Sequence, residues 1–167
     1  MEKKGIRKWF WVWEFEKEER WLNEMAESGW ALDEVGFARY TFVPCEPGEY
    51  IIRLEMHKED ENYMEFMSEL GAEYVGRVAS WIYFRRNAAI GQFDLFSDAD
   101  SRISHLDKIG KLLLFVGLAN LLIGVVNCIN GFTFACINLL VATLLMYGLG
   151  RIHGKREALE RERELHE

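Results

Sequence analysis

Leu112 to Gly150 reads LLLFVGLANLLIGVVNCINGFTFACINLLVATLLMYGLG, a run of 39 residues without Asp, Glu, Lys or Arg in a chain whose charged content is 28%. A soluble domain seldom needs such a gap, and lipid does. A hydrocarbon core of ~30 Å takes about 20 apolar residues per spanning helix. The run therefore holds two spans, Leu112–Ile129 and about Phe132–Leu149, with Asn130-Gly131 as the turn between them. So short a link makes the pair an antiparallel hairpin, within residues 109–150. Upstream, Ser97-Asp98-Ala99-Asp100 reads as a helix start, with Ser97 as the cap.

The flanks give the orientation. Arg102, Lys108 and Lys111 precede the first span, Arg151, Lys155 and Arg156 follow the second, and the turn is uncharged. The positive-inside tendency expects a two-pass protein of the cell membrane with both termini cytoplasmic. Met1–Lys8 is charged, and Trp9–Phe15, broken by Glu14, is too short for the apolar core of a signal peptide.

Within the first span Gly117, Asn120, Gly124 and Asn127 recur every three to four residues, and Gly131 continues the series. Small residues let helices approach and Asn bonds between them, so these four are the expected helix-packing face, closing the hairpin on itself or on a second copy. Asn138 and Thr143 lie on the second span. Cys128 and Cys136 flank the turn, either meeting across it or serving as small packing residues. Residues 151–167 alternate Arg and Glu and extend the second helix as a solvated, charged cytoplasmic tail.

The rest of the chain matches itself when shifted by 42 residues. Glu19-x5-Met25-x-Glu27-x-Gly29 falls on Glu61-x5-Met67-x-Glu69-x-Gly71, Trp21 on Tyr63 and Phe42 on Phe84. Each half reads strand, helix, strand, strand. In the first, Trp9–Trp13 is aromatic and β-branched and reads as a strand, with Trp9–Val12 falling on Ile51–Leu54. Trp21, Leu22, Met25 and Ala26 stripe one side of a helix that stops at Gly29, while Glu18, Glu19, Glu24 and Glu27 form its solvated side. Strands near Ala31–Val35 and Arg39–Val43 follow. In the second half Tyr50–Met56 is a strand, Tyr63 to Leu70 a helix ending at Gly71, and Tyr74–Val78 with Trp81–Arg86 a closing hairpin. The expected fold is α+β, a duplicated β-α-β-β (ferredoxin-like) sandwich with both helices on one sheet face, followed by a two-helix transmembrane hairpin. The segments are then 1–86 for the duplicated domain, 87–108 for a linker and juxtamembrane helix, 109–150 for the membrane hairpin and 151–167 for the tail.

Strand alternation puts Trp9, Trp11 and Trp13 on one side, joined by Trp81 and Tyr83 of the last strand. That aromatic face is the expected partner or ligand surface. Its cover is a dimer mate, a ligand, a partner, the membrane surface, or the linker residues Ile90, Phe93, Leu95 and Phe96 folding back.

Charge is uneven. Residues 1–100 carry 12 Lys/Arg against 21 Asp/Glu. An acidic domain argues against direct nucleic-acid contact, which rests on Lys/Arg meeting phosphate. His57, His105, His153 and His166 are scattered, the cysteines lack metal spacing, and there is no phosphate-cradling glycine loop or nucleophile elbow. No catalytic residue, metal or cofactor is expected, and the chain reads as a non-enzyme.

The run Glu19-x-Trp21-Leu22-Asn23-x-Met25-Ala26-x2-Gly29-Trp30-x-Leu32, with Tyr40-x-Phe42 and Pro47-Gly48-x-Tyr50, resembles the bacterial family of domain of unknown function 2812. Gly71-x-Glu73-Tyr74-Val75, Trp81-x-Tyr83-Phe84-Arg85 and Leu95-Phe96-Ser97-Asp98-x2-Ser101-Arg102-Ile103 are similar to it too, so the resemblance covers roughly residues 8–108. It implies a membrane-anchored cytoplasmic module of low-GC Gram-positive bacteria, often encoded beside a PadR-type transcriptional regulator, and no catalytic residues. The expectation is a regulatory or sensory protein whose acidic domain binds a protein partner such as that regulator. The alternatives are a hydrophobic small-molecule binding module, or an accessory subunit of a membrane transporter or homo-oligomer.

Overall fold

The computed structural model describes residues 2–166 apart from positions 59, 97 and 133. Two units divide the chain, Met1–Leu95 and Phe96–Glu167.

The first unit is a duplication in three dimensions as well. Its order is β1 (Lys4–Arg7), α1 (Phe15–Glu27), β2 (Trp30–Gly36), β3 (Arg39–Pro44), then β4 (Tyr50–Met56), α2 (Glu61–Glu69), β5 (Ala72–Val78) and β6 (Trp81–Asn87). The strands form two antiparallel three-stranded sheets, ordered β1-β3-β2 and β4-β6-β5. Both halves thus share one connectivity, strand-helix-hairpin, with the hairpin's second strand in the middle. β2 and β5 are both bulged, between Leu32 and Glu34 and between Tyr74 and Gly76, at matching places in the 42-residue shift. Gly29 (φ +83°) and Gly71 (φ +76°) end the two helices in the left-handed region, which glycine enters without a Cβ penalty.

One element departs from the sequence reading. Trp9–Trp13 is not a strand; β1 is the polar tetrapeptide Lys4–Arg7. Lys4 pairs with Phe42 as Arg53 pairs with Phe84, an offset of 49 rather than 42. The Trp-rich segment is an extra connection between β1 and α1 that closes in a short 3-10 turn, Val12–Glu14, with the Glu14 N–H donating to Trp11 O at 2.7 Å. Aromatic residues favour strands because of what their rings pack on rather than through backbone preference. Here the rings pack on one another, and a short charged edge strand takes the ladder.

The two helices do not share a sheet face. On β6, Ile82 and Phe84 point toward α2 and form a core with Met67, Ala72 and Phe93. Trp81 and Tyr83 point the other way, toward α1, where Phe15 lies 5.4 Å from Trp81 between ring centroids. The second sheet is therefore covered on both faces, by one helix from each half. α1 also packs on the first sheet, Trp21 standing edge-on to Tyr40 and Phe42 at 5.0 and 5.7 Å. Phe93 is 3% exposed, so the first unit continues past position 86.

In the second unit α3 (Ala99–Ile129) and α4 (Ala135–His166) are packed antiparallel across a turn at Asn130-Gly131, where Gly131 has φ +71°. Both are long and apolar enough to cross a membrane. Ser97, the expected cap, lies outside the described residues. Asp98 caps α3, accepting from the Ser101 N–H at 2.7 Å while Ser101 Oγ returns to the Asp98 N–H in a capping box. The charged tail continues α4, and Arg156 and Arg163 reach Asp107 and Asp100 of α3 at 3.1 and 2.6 Å.

Candidate functional site

The most unusual chemistry in the first unit is a carboxylate that the sequence reading placed on a solvated helix side. Glu18 of α1 is 8% exposed. Its Oε1 accepts from two tyrosine hydroxyls, Tyr40 of β3 at 2.8 Å and Tyr83 of β6 at 2.6 Å. Burial pushes the Glu18 carboxyl above the ordinary carboxylate range, and the two hydroxyls oppose that shift. Burial and the neighbouring Glu18 push both tyrosines well above the usual phenol range. The carboxyl thus ties α1 to one strand of each sheet.

One residue further along, Glu19 Oε2 accepts from the Leu54 N–H at 3.2 Å, and Oε1 faces Arg53 at 3.5 Å. A turn later, Asn23 Oδ1 accepts from the Ile52 N–H and Nδ2 donates to Ile52 O, both at 2.9 Å. Two side chains at i and i+4 on α1 therefore occupy the open edge of β4. Glu18 and Glu19 depart from the solvated side because the second sheet, a non-local partner, buries it. The one signal that could have revealed them is Asn23, a polar residue beside the apolar stripe.

The residues of the expected aromatic face come from two places in the fold. Trp13, 5% exposed, is stacked flat on Trp11 with ring centroids 5.1 Å apart. Trp9 stands edge-on to Trp11 at 5.4 Å and to Phe37 at 5.2 Å. Trp9, Trp11 and Phe37 remain exposed. Trp81 and Tyr83 belong to the α1 contact instead, and Tyr83 is 4% exposed. The first three lie in a connection before α1 and not in a strand paired beside β6. The linker contributes Phe93, but to the α2 side, under the Arg86 guanidinium at 4.8 Å.

In the second unit Gly117, Asn120, Gly124 and Asn127 lie together along the side of α3 that faces α4. Gly124 sits against Leu139 and Asn138, and Gly117 against Met146 and Leu145. Asn138 Nδ2 donates to Asn120 Oδ1 at 3.3 Å, and Asn127 Nδ2 donates to Asn138 Oδ1 at 3.5 Å. This stripe is used within one chain. Cys45, Cys128 and Cys136 are free thiols. Among the described residues no three of His, Cys, Asp and Glu gather as metal ligands.

No curated protein and no solved structure matches this chain. A family model does, over residues 14–118, from the turn before α1 into the apolar part of α3. That segment contains Glu18, Glu19 and Asn23, the residues that fasten α1 to both halves. By that match, which spans well over half of the sequence, the chain belongs to the family described as Protein of unknown function (DUF2812).

Proposed function

We propose that this chain is a membrane-anchored regulatory or sensory protein without catalysis of its own. α3 and α4 are the anchor, and the first unit is a cytoplasmic module that binds a protein partner.

The observation that carries the reading is the exposure of the two long helices. In their most apolar windows only 17% of α3 and 22% of α4 is buried. A core helix of a soluble protein would be mostly buried, whereas a spanning helix presents its apolar side chains to lipid. Arg102, Lys108 and Lys111 on one flank and Arg151, Lys155 and Arg156 on the other support a cytoplasmic location for both termini. The non-enzymatic part is supported by the sequence, which carries no phosphate-cradling glycine loop, nucleophile elbow or metal-spaced cysteines. The partner is a protein with a basic surface, chosen for charge complementarity with a segment holding 21 Asp/Glu against 12 Lys/Arg. A PadR-type regulator, suggested by the family resemblance, is the specific candidate.

Membrane fractionation tests the anchor. The full chain is expected in the membrane pellet after an alkaline wash and in solution only with detergent. Recovery in the soluble fraction would sink the reading. Proteolysis of intact cells tests orientation, with both termini protected. The detergent-solubilised chain, mixed with the purified regulator, is expected to bind it and release it as salt rises. No binding at low salt would remove that partner.

A further inference from the structure

One surface of the first unit is unlike the rest of it. Phe37 sits at the tip of the β2–β3 turn, 77% exposed. The next residue, Ala38, has φ +51°, and its carbonyl accepts from the Lys8 N–H at 3.2 Å, which ties the β1 exit to the turn. Trp9, 51% exposed, and Trp11, 39% exposed, continue the ring contacts from Phe37 to the buried Trp13.

Beside Phe37 and Trp9 the charge is positive, while at the Trp11 end the Glu14 carboxylate accepts from the Trp11 N–H and pairs with Lys17. Arg7 and Arg39 are direct cross-strand partners of β1 and β3, both exposed, and Lys8 follows Arg7. Like charges directly opposite each other destabilise a strand pair. Among the described residues neither arginine has an ion pair, in a segment that carries 21 carboxylates. A like-charged pair beside exposed tryptophan and phenylalanine is explained by an anion that lies next to an apolar layer.

We propose that Arg7, Lys8, Trp9, Trp11, Phe37 and Arg39 dock the first unit onto the anionic headgroups of the membrane that holds α3 and α4. Phe37 and Trp9 enter the interfacial layer, where Trp is enriched, and the three cations meet lipid phosphates. The rest of the unit is acidic and is repelled by the negative cytoplasmic leaflet, so this patch alone faces it. Three cations and a few rings bind a membrane weakly when alone. A tethered unit is always within reach of the bilayer, and its effective concentration there makes weak contact sufficient. The docking rests on the membrane anchor proposed above.

The test uses the full chain in nanodiscs of phosphatidylcholine, with or without phosphatidylglycerol. Amide hydrogen exchange is read at Gly36–Arg39, and tryptophan quenching by brominated lipid is read in parallel. Exchange at the turn is expected to slow about fivefold or more in the anionic discs, the effect of roughly one well-placed cation, with stronger quenching. The R7E/K8E/R39E variant loses both effects, and F37S, an exposed-tip change with no effect on the core, loses most of the quenching. Equal exchange in the two lipids, or protection that survives charge reversal, overturns the docking. Protection that rises with protein concentration in neutral discs would put a second copy on the patch and also overturns it. A chain that never enters the discs fails the anchor itself, whereas one that enters without lipid-dependent protection fails only the docking.

Discussion

Asn23 of α1 treats Ile52 of β4 as a neighbouring strand would, taking its N–H and giving to its carbonyl, each at 2.9 Å. β4 is the outer strand of its sheet, so its backbone is otherwise open to another chain. A helix side chain closes that edge, and Glu19 extends the closure to the Leu54 N–H. Glu19 and Asn23 thus act on the fold by closing the edge of β4.

Asn23→Ala is expected to lower stability by about 1–3 kcal/mol, since it orphans a half-buried donor and acceptor on β4. Asn23→Asp keeps an acceptor for the Ile52 N–H and sets a carboxylate against the Ile52 carbonyl, so it should be no better than Ala. Denaturant melting of tryptophan fluorescence in detergent checks both. An unchanged midpoint in Asn23→Ala would remove the edge-closing role.

Glu18 links stability to pH. Its folded carboxyl is raised above the unfolded one by burial. The protonated form is thus the one the fold prefers. The contribution is fully present below the unfolded value and is lost as pH rises through the folded value. E18Q holds the neutral state and still accepts from tyrosine, so it should match the parent in acid and exceed it near neutrality. E18A leaves Tyr40 and Tyr83 without their acceptor and should cost about 1–3 kcal/mol per hydroxyl at every pH. Melting curves from mildly acidic to neutral pH separate the variants, and a parallel offset of E18Q across that range would contradict the burial argument.

How much of this was legible beforehand differs by element. The uncharged run, the 42-residue repeat and the helix-stopping glycines are local patterns, and they gave the hairpin, the duplicated plan and five of the strands. Lys4–Arg7 was invisible because a short polar edge strand has no apolar alternation to detect. Trp9–Trp13 misled because ring content is read as strand content, whereas its rings pack on Phe37, on Trp21 and Tyr40, and on one another. Glu18 and Glu19 were unreadable for another reason. Helical periodicity shows which side is apolar, and only the docking of the second sheet on α1 decides that a polar side is buried as well.

The meeting of the two halves can be probed at Gly76 of β5. A Cβ there would lie 2.9 Å from Cγ1 of Val35 on β2, closer than side-chain atoms normally come. Gly76→Ala should destabilise the first unit by roughly 1–3 kcal/mol through overpacking. Val35→Ala makes room, so the double variant should recover part of the loss. Additive losses in a double-mutant cycle would show that the two residues do not press on each other.

Gly117 and Gly124 both face α4, but their neighbours differ in how they can yield. A Cβ on Gly117 meets mainly the methyl end of Met146, a flexible side chain that swings aside. A Cβ on Gly124 meets Leu139 Cδ2 at 2.7 Å and Cγ at 3.0 Å, with Asn138 Cβ at 3.3 Å behind them. Of those atoms Asn138 Cβ is fixed by the α4 backbone, and the branched Leu139 must change rotamer in the space beside it. Gly117→Ala should therefore be tolerated within about 1 kcal/mol, while Gly124→Ala should cost more, on the order of 1–3 kcal/mol, and loosen the Asn120–Asn138–Asn127 chain of bonds beside it. Unfolding of α3 and α4 by SDS in mixed micelles, followed by circular dichroism, ranks the two. Equal costs, or the reverse order, would mean that close approach at Gly124 is not what sets the spacing of the hairpin.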